Sequence, residues 1–113
     1  MEVISSFNAY NKKDLIEFKK MIKEKSVLVL GVGPDQGLGV ALCKQFAEEG
    51  YRVFGCGRSQ ENMDALKKVK ISKGSIEGIV GDVTNTEDVL NIFSRLDEAE
   101  AKLESVIYNA GNN

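Results

Sequence analysis

The sequence predicts an α/β domain: a parallel sheet of about four strands in the order 3-2-1-4, with flanking helices. Three observations carry that expectation. From Val27 onward, short apolar runs rich in β-branched residues alternate with helix-period segments, each of roughly 10–16 residues. Such alternation builds right-handed βαβ units, whose strands lie parallel and are buried on both faces. A glycine-rich turn closes the first apolar run, and a helix-period segment starts directly after it. At 113 residues the chain holds one domain, not two.

Residues 1–25 stand apart as an N-terminal helical extension. Asn11 to Lys25 places Leu15, Phe18 and Ile22 on one stripe, with Met21 alongside and lysines opposite, as an amphipathic helix does. Residues 26–113 form the domain, entered through a short joint at Lys25-Ser26. Val27–Leu30 reads as the first strand and Leu38–Glu49 as a helix ended by Gly50. Arg52–Cys56 is the second strand. Glu61–Lys70 is the second domain helix, with Met63, Leu66 and Val69 on one face, and Ser75–Val80 is the third strand. Thr84-Asn85-Thr86-Glu87 has the form of a capping box. It opens a helix from Glu87 to about Lys102, expected to turn Val89, Leu90, Phe93 and Leu96 inward, and Ser105–Tyr108 follows as the fourth strand.

Composition narrows the function. The net charge of −2 provides no basic excess for a nucleic-acid surface, and no apolar run has the length of a membrane span. There is no histidine, which removes His-based triads and common zinc sites. The two cysteines, Cys43 and Cys56, fall in a helix and a strand and read as buried, reduced thiols. With no secretory signal at the start of the chain, they point to the cytoplasm.

Chemistry concentrates where the strands end. The turn after the first strand reads as Gly33-x-x-x-Gly37-x-Gly39, or as starting at Gly31 with Asp35 and Gln36 inserted. A glycine turn at a helix mouth, followed here by Leu38, offers amides and a positive dipole end to a diphosphate. The second strand runs into Gly57-Arg58-Ser59. Folds that hold an unphosphorylated ribose usually place a carboxylate at the end of this strand. Gly57 stands there instead, and the next residue is a guanidinium suited to a 2′-phosphate, with the Ser59 hydroxyl beside it. NADP is therefore favoured over NAD. Gly81-Asp82-Val83 follows the third strand, where Asp82 can accept from the adenine amine and Val83 pack on the ring. The fourth strand ends in Asn109-Ala110-Gly111, small enough to let backbone approach a ribose.

In this order and spacing, these motifs resemble the N-terminal half of the short-chain dehydrogenase/reductase family, from about Lys25 to Gly111. The family's glycine motif is Thr-Gly-x-x-x-Gly-x-Gly, its adenine contact is Asp-Val, and its fourth strand ends in Asn-Asn-Ala-Gly. The resemblance implies a truncated Rossmann-like sheet and an oxidoreductase that uses a nicotinamide dinucleotide. Three departures stand out. Leu30 or Val32 takes the place of the threonine whose hydroxyl ties the turn to the fourth strand; Tyr108 replaces the first asparagine; and Pro34-Asp35-Gln36 reshapes the phosphate turn, with an Asp35 carboxylate able to repel a pyrophosphate.

The family's catalysis rests on Tyr-x-x-x-Lys with a serine upstream, the lysine lowering the phenol's pKa. Here Tyr10 is followed at that spacing by Asp14, Tyr51 by Gly55 and Tyr108 by Asn112. No catalytic residue is expected in the chain, which reads as a cofactor-binding portion inactive alone. The alternative is a non-catalytic nucleotide-binding or interaction module. In either case the open edge of the fourth strand invites self-association or a completing partner. A methyltransferase-like fold wants an acidic residue where Gly57-Arg58 stands, and a phosphate-transfer loop wants Gly-Lys-Ser/Thr after the glycines.

Overall fold

A computed structural model describes residues 8, 10–23, 25–34 and 36–109, and for 18–23 the backbone alone. Helix α1 (Lys12–Lys23) precedes the alternation and touches it chiefly at strand β1 (Lys25–Leu30). Of its expected inward stripe, Leu15 is half-buried, whereas the side chains of Phe18, Met21 and Ile22 lie outside the description. Then come α2 (Leu38–Glu48), β2 (Arg52–Gly57), α3 (Gln60–Lys67), β3 (Ser75–Val80), α4 (Thr86–Glu98) and β4 (Lys102–Tyr108). The four strands pair in parallel, in the order β3-β2-β1-β4, as the sequence predicts.

The sheet separates two cores. On one face Val27, Val29 and Val53 pack against Val40, Cys43 and Ala47 of α2 and Met63 and Leu66 of α3. On the other, Leu28, Phe54, Cys56 and Ile79 pack with Ile92 and Leu96 of α4. Both faces of β1 are buried, which is why it carries an unbroken apolar run. Ser26, expected in the short joint before the first strand, is instead a fully buried residue of β1.

The helix ends follow from local hydrogen bonding. Helix α2 stops where Gly50, at φ +99°, turns its amide to Ala47 O while Tyr51 N reaches back to Phe46 O. Helix α4 ends the same way without a glycine. Glu100 adopts φ +54°, donating to Asp97 O, and Ala101 N donates to Leu96 O. This stop lies four residues before the expected end at Lys102, so β4 starts earlier than Ser105 and carries an irregularity opposite Ser26/Val27. The start of α4 also differs from the expected box. Asn85, not Thr84, is the cap, its Oδ1 accepting from Asp88 N at 3.1 Å.

The inward face of α4 needs a correction as well. Ile92 and Leu96 are buried, but Leu90 is 65% exposed and Phe93 also faces solvent. Arg95 and Glu98 overlie β3 beside Glu77 and Ile79. Helical geometry puts Leu90 and Phe93 on the opposite flank, toward β4. There Val106 and Tyr108, in register with Leu28 and Leu30, are uncovered too.

Candidate functional site

The carboxyl ends of all four strands open into one cleft of about 450 Å³. Such a rim, on either side of a strand-order reversal, is where open α/β sheets bind ligands. Seven of the expected site residues meet there: Gly31, Gly33, Arg58, Ser59, Asp82, Val83 and Asn109. Gly37, Leu38 and Gly39 lie just behind, at the mouth of α2. Ala110 and Gly111 fall outside the described residues, as does Asp35 with its carboxylate.

The turn is held by backbone. The amides of Gly31 and Val32 both donate to Cys56 O, at 2.9 and 2.8 Å, and that of Gly37 donates to Pro34 O at 2.8 Å. These three donors are occupied, which narrows the expected amide nest to Gly33 and the first turn of α2. Leu38 is the first residue of that turn, and its side chain is exposed. Helix-start amides have no intrahelical acceptor and stay available to an anion.

Of the two glycine readings, the one starting at Gly31 has the geometric support. Gly31 sits at φ +91°, and a Cβ there would meet Asn109 O at 2.0 Å. Gly39 is buried beneath the turn, where a Cβ would come 2.9 Å from Val32 Cα.

The missing threonine tie is replaced. Asn109 Nδ2 donates to Gly31 O at 2.9 Å, and Asn109 N donates to Leu30 O at 2.8 Å. Turn and fourth strand are thus joined by an amide side chain from the β4 end, where the sequence suggested only a small ribose-facing segment. Val32 is left free to pack in the core.

The end of β2 explains its own composition. A Cβ at Gly57 would lie 2.1 Å from Val32 O and 2.8 Å from Met63 Cε, so a carboxylate cannot occupy that position here. Arg58, directly after it, is exposed at the cleft. Ser59 caps α3, its Oγ accepting from Asn62 N at 3.1 Å. A hydroxyl that accepts in this way still has its own proton to donate into the cleft.

Across the cleft, Asp82 Oδ1 accepts from Thr84 Oγ1 at 2.6 Å and Thr84 N at 2.9 Å. The Thr84 hydroxyl and amide, with the Arg58 guanidinium as a further influence, hold the Asp82 carboxyl below its usual range. It is a carboxylate at neutral pH. Cys56 also lines the cleft, but burial and the charges of Asp88 and Asp82 push its thiol up to about 11. Its neutral thiol form is therefore favoured over the thiolate. Sequence reasoning missed Asn62, Thr84 and Tyr108 as cleft residues. Each is next to, or within three residues of, a motif position, and nothing in its own residue type marks it.

Fold and cleft together define a Rossmann-like α/β half-sheet with a cleft at its strand ends. The chain belongs to the short-chain dehydrogenase family, whose model matches residues 25–113. It is 31% identical over 91 residues to an NADPH-dependent pterin aldehyde reductase of Arabidopsis thaliana, covering 80% of this chain and 37% of that protein. It is 32% identical over 96 residues to a glucose 1-dehydrogenase of Gluconobacter oxydans, covering 83% and 35%. The crystal structure of a short chain dehydrogenase from Bacillus anthracis superposes with a TM-score of 0.70 at 32% identity, covering 81% of this chain and 36% of that one. The chain thus spans about a third of the length of the relatives it matches.

Proposed function

We propose that this chain is the NADP(H)-binding portion of a short-chain dehydrogenase/reductase-like oxidoreductase, and that it holds the cofactor without carrying the catalytic tyrosine and lysine. The observation behind this is the gathering of four sequence-distant motifs, one from each strand end, in one cleft. In this arrangement the pyrophosphate lies over Gly33 and the start of α2 at Gly37, Leu38 and Gly39. The 2′-phosphate meets Arg58 and Ser59, the adenine meets Asp82 and Val83, and the ribose side meets Asn109. The bound nicotinamide would supply the hydride; the residues of this chain bind and orient.

Two features support NADP over NAD. No carboxylate fits at Gly57, and a permanent cation follows it at the cleft. The cytoplasm is the compartment proposed, since Cys43 and Cys56 are both free, buried thiols. Amide NMR with added NADPH tests the placement. Shifts confined to Gly33, Leu38, Arg58, Ser59, Asp82 and Val83 are expected, and shifts located at the opposite end of the strands would refute it.

A second reading rests on the uncovered apolar flank of Leu90, Phe93, Val106 and Tyr108. In it a second copy or a completing partner covers that flank and the outer edge of β4. Light scattering at micromolar concentration separates the two: a clean monomer counts against self-association.

A further inference from the structure

The loop between β3 and α4 is bound at all but one of its backbone amides, and one side chain from α4 fixes the register of the rest. Gly81 N donates to Gly57 O at 2.9 Å, and Asn85 N donates to Asp82 O at 3.0 Å. Asp82 N donates to Asp88 Oδ2 at 2.8 Å. Asp88 sits in the first turn of α4, its own amide capped by Asn85 Oδ1 at 3.1 Å. In an ordinary capping box a carboxylate at that position returns to the amide of the cap residue. Here it reaches three residues further back, past Asn85, into the wall of the cleft.

The consequence concerns hydrogen-bond polarity. Thr84 saturates Asp82 Oδ1, leaving Oδ2 as an acceptor. With Asp82 N–H consumed by Asp88, Val83 N–H is the loop amide for which no acceptor occurs among the described residues. The loop therefore offers one acceptor and one donor from adjacent residues. The edge of adenine carries the complement, an amino donor at C6 beside the acceptor N1. Hypoxanthine reverses both, with an oxygen acceptor at C6 and a proton on N1.

We propose that Asp88 is a positioning residue that sets base selectivity at this cleft. By taking up the Asp82 amide it presents the loop as acceptor then donor, and so selects an adenine over a 6-oxopurine. The inference rests on the placement of the adenine end described above. Asp88 touches no cofactor atom in this account; it acts through the Asp82 backbone.

The test compares NADP⁺ with nicotinamide hypoxanthine dinucleotide phosphate by calorimetry on the intact chain, for wild type, Asp88→Ala and Asp88→Asn. Wild type should favour the adenine cofactor by about tenfold or more, the scale of mismatched buried hydrogen bonds. Asp88→Ala should bring the ratio close to one. Asp88→Asn, whose amide oxygen still accepts from Asp82 N–H, should restore most of it, which a charge effect alone would not do. Thermal melts of each variant check that the fold is retained, and a ratio measured on folded protein is insensitive to a uniform loss of stability. An unchanged ratio in Asp88→Ala overturns the proposal while leaving cofactor binding in place. Binding of neither dinucleotide to wild type overturns both the proposal and the reading beneath it.

Discussion

The two faces of this sheet are finished to different degrees. Helices α2 and α3 close one face, and there even β4 contributes, Ile107 packing against the core of Val27, Val29 and Met63. Among the described residues the other face has α4 alone. Ile92 and Leu96 cover β1, β2 and β3, but Val106 of β4 is 47% exposed and Tyr108 is uncovered beside it. The difference shows where this chain is self-sufficient. Apolar packing is closed on the β1–β2–β3 side, whereas the β4 side of the α4 face has apolar surface and no element over it among the described residues.

Substitutions on the two faces should separate accordingly. Met63→Ala, on the closed face, removes a fully buried side chain wedged between α3 and the sheet. It should cost about 2–5 kcal/mol in urea unfolding. A loss below about 1 kcal/mol would mean that this face is loosely packed.

A smaller effect distinguishes the faces by pH, because each buries one thiol. Burial pushes Cys43, on the closed face, up to about 12. Cys56, on the α4 face, is pushed up to about 11. A folded-state pKa raised above that of the unfolded chain stabilises fully below the ordinary thiol value and is lost as pH rises through the folded value. Urea midpoints should therefore fall between about pH 9 and pH 12, and Cys43→Ala and Cys56→Ala should each flatten that slope. Equal slopes in wild type and both variants would contradict burial of the thiols.

The smallest effects on stability are expected from Leu90→Ser, within about 0.5 kcal/mol because its side chain is 65% exposed, and from Phe93→Ser, about 1 kcal/mol because its ring is 39% exposed. If a second copy uses this flank, the same changes should shift the light-scattering mass toward the monomer.

The alternation of strands and helices was legible in the sequence because it rests on periodicity, and the strand order followed from placing the first strand at the centre of the sheet. The faces of α4 were not. Val89, Ile92 and Leu96 form one apolar stripe, and Leu90 with Phe93 forms another beside it. Periodicity alone cannot say which of two adjacent stripes meets the sheet. The end of α4 was hidden for a different reason: Glu100 takes a left-handed cap that usually signals itself by glycine.

At the cleft, the motif residues were legible by type, but their bonds were not. Asn109 bonding to the turn and Asp88 reaching the Asp82 amide join residues far apart in sequence or outside any motif. Only the folded arrangement reveals such pairs. The steric block at Gly57 likewise comes from Val32, on a different strand end.

The claim that the cleft is built for a 2′-phosphorylated dinucleotide is tested most directly by calorimetric titration of wild type and Arg58→Ala with NADPH and NADH. Wild type should bind NADPH more tightly. Arg58→Ala should weaken NADPH by about 1.5–3 kcal/mol, the scale of a lost charge-assisted hydrogen bond, and leave NADH nearly unchanged. Equal weakening of both cofactors, or a wild type that prefers NADH, would contradict it.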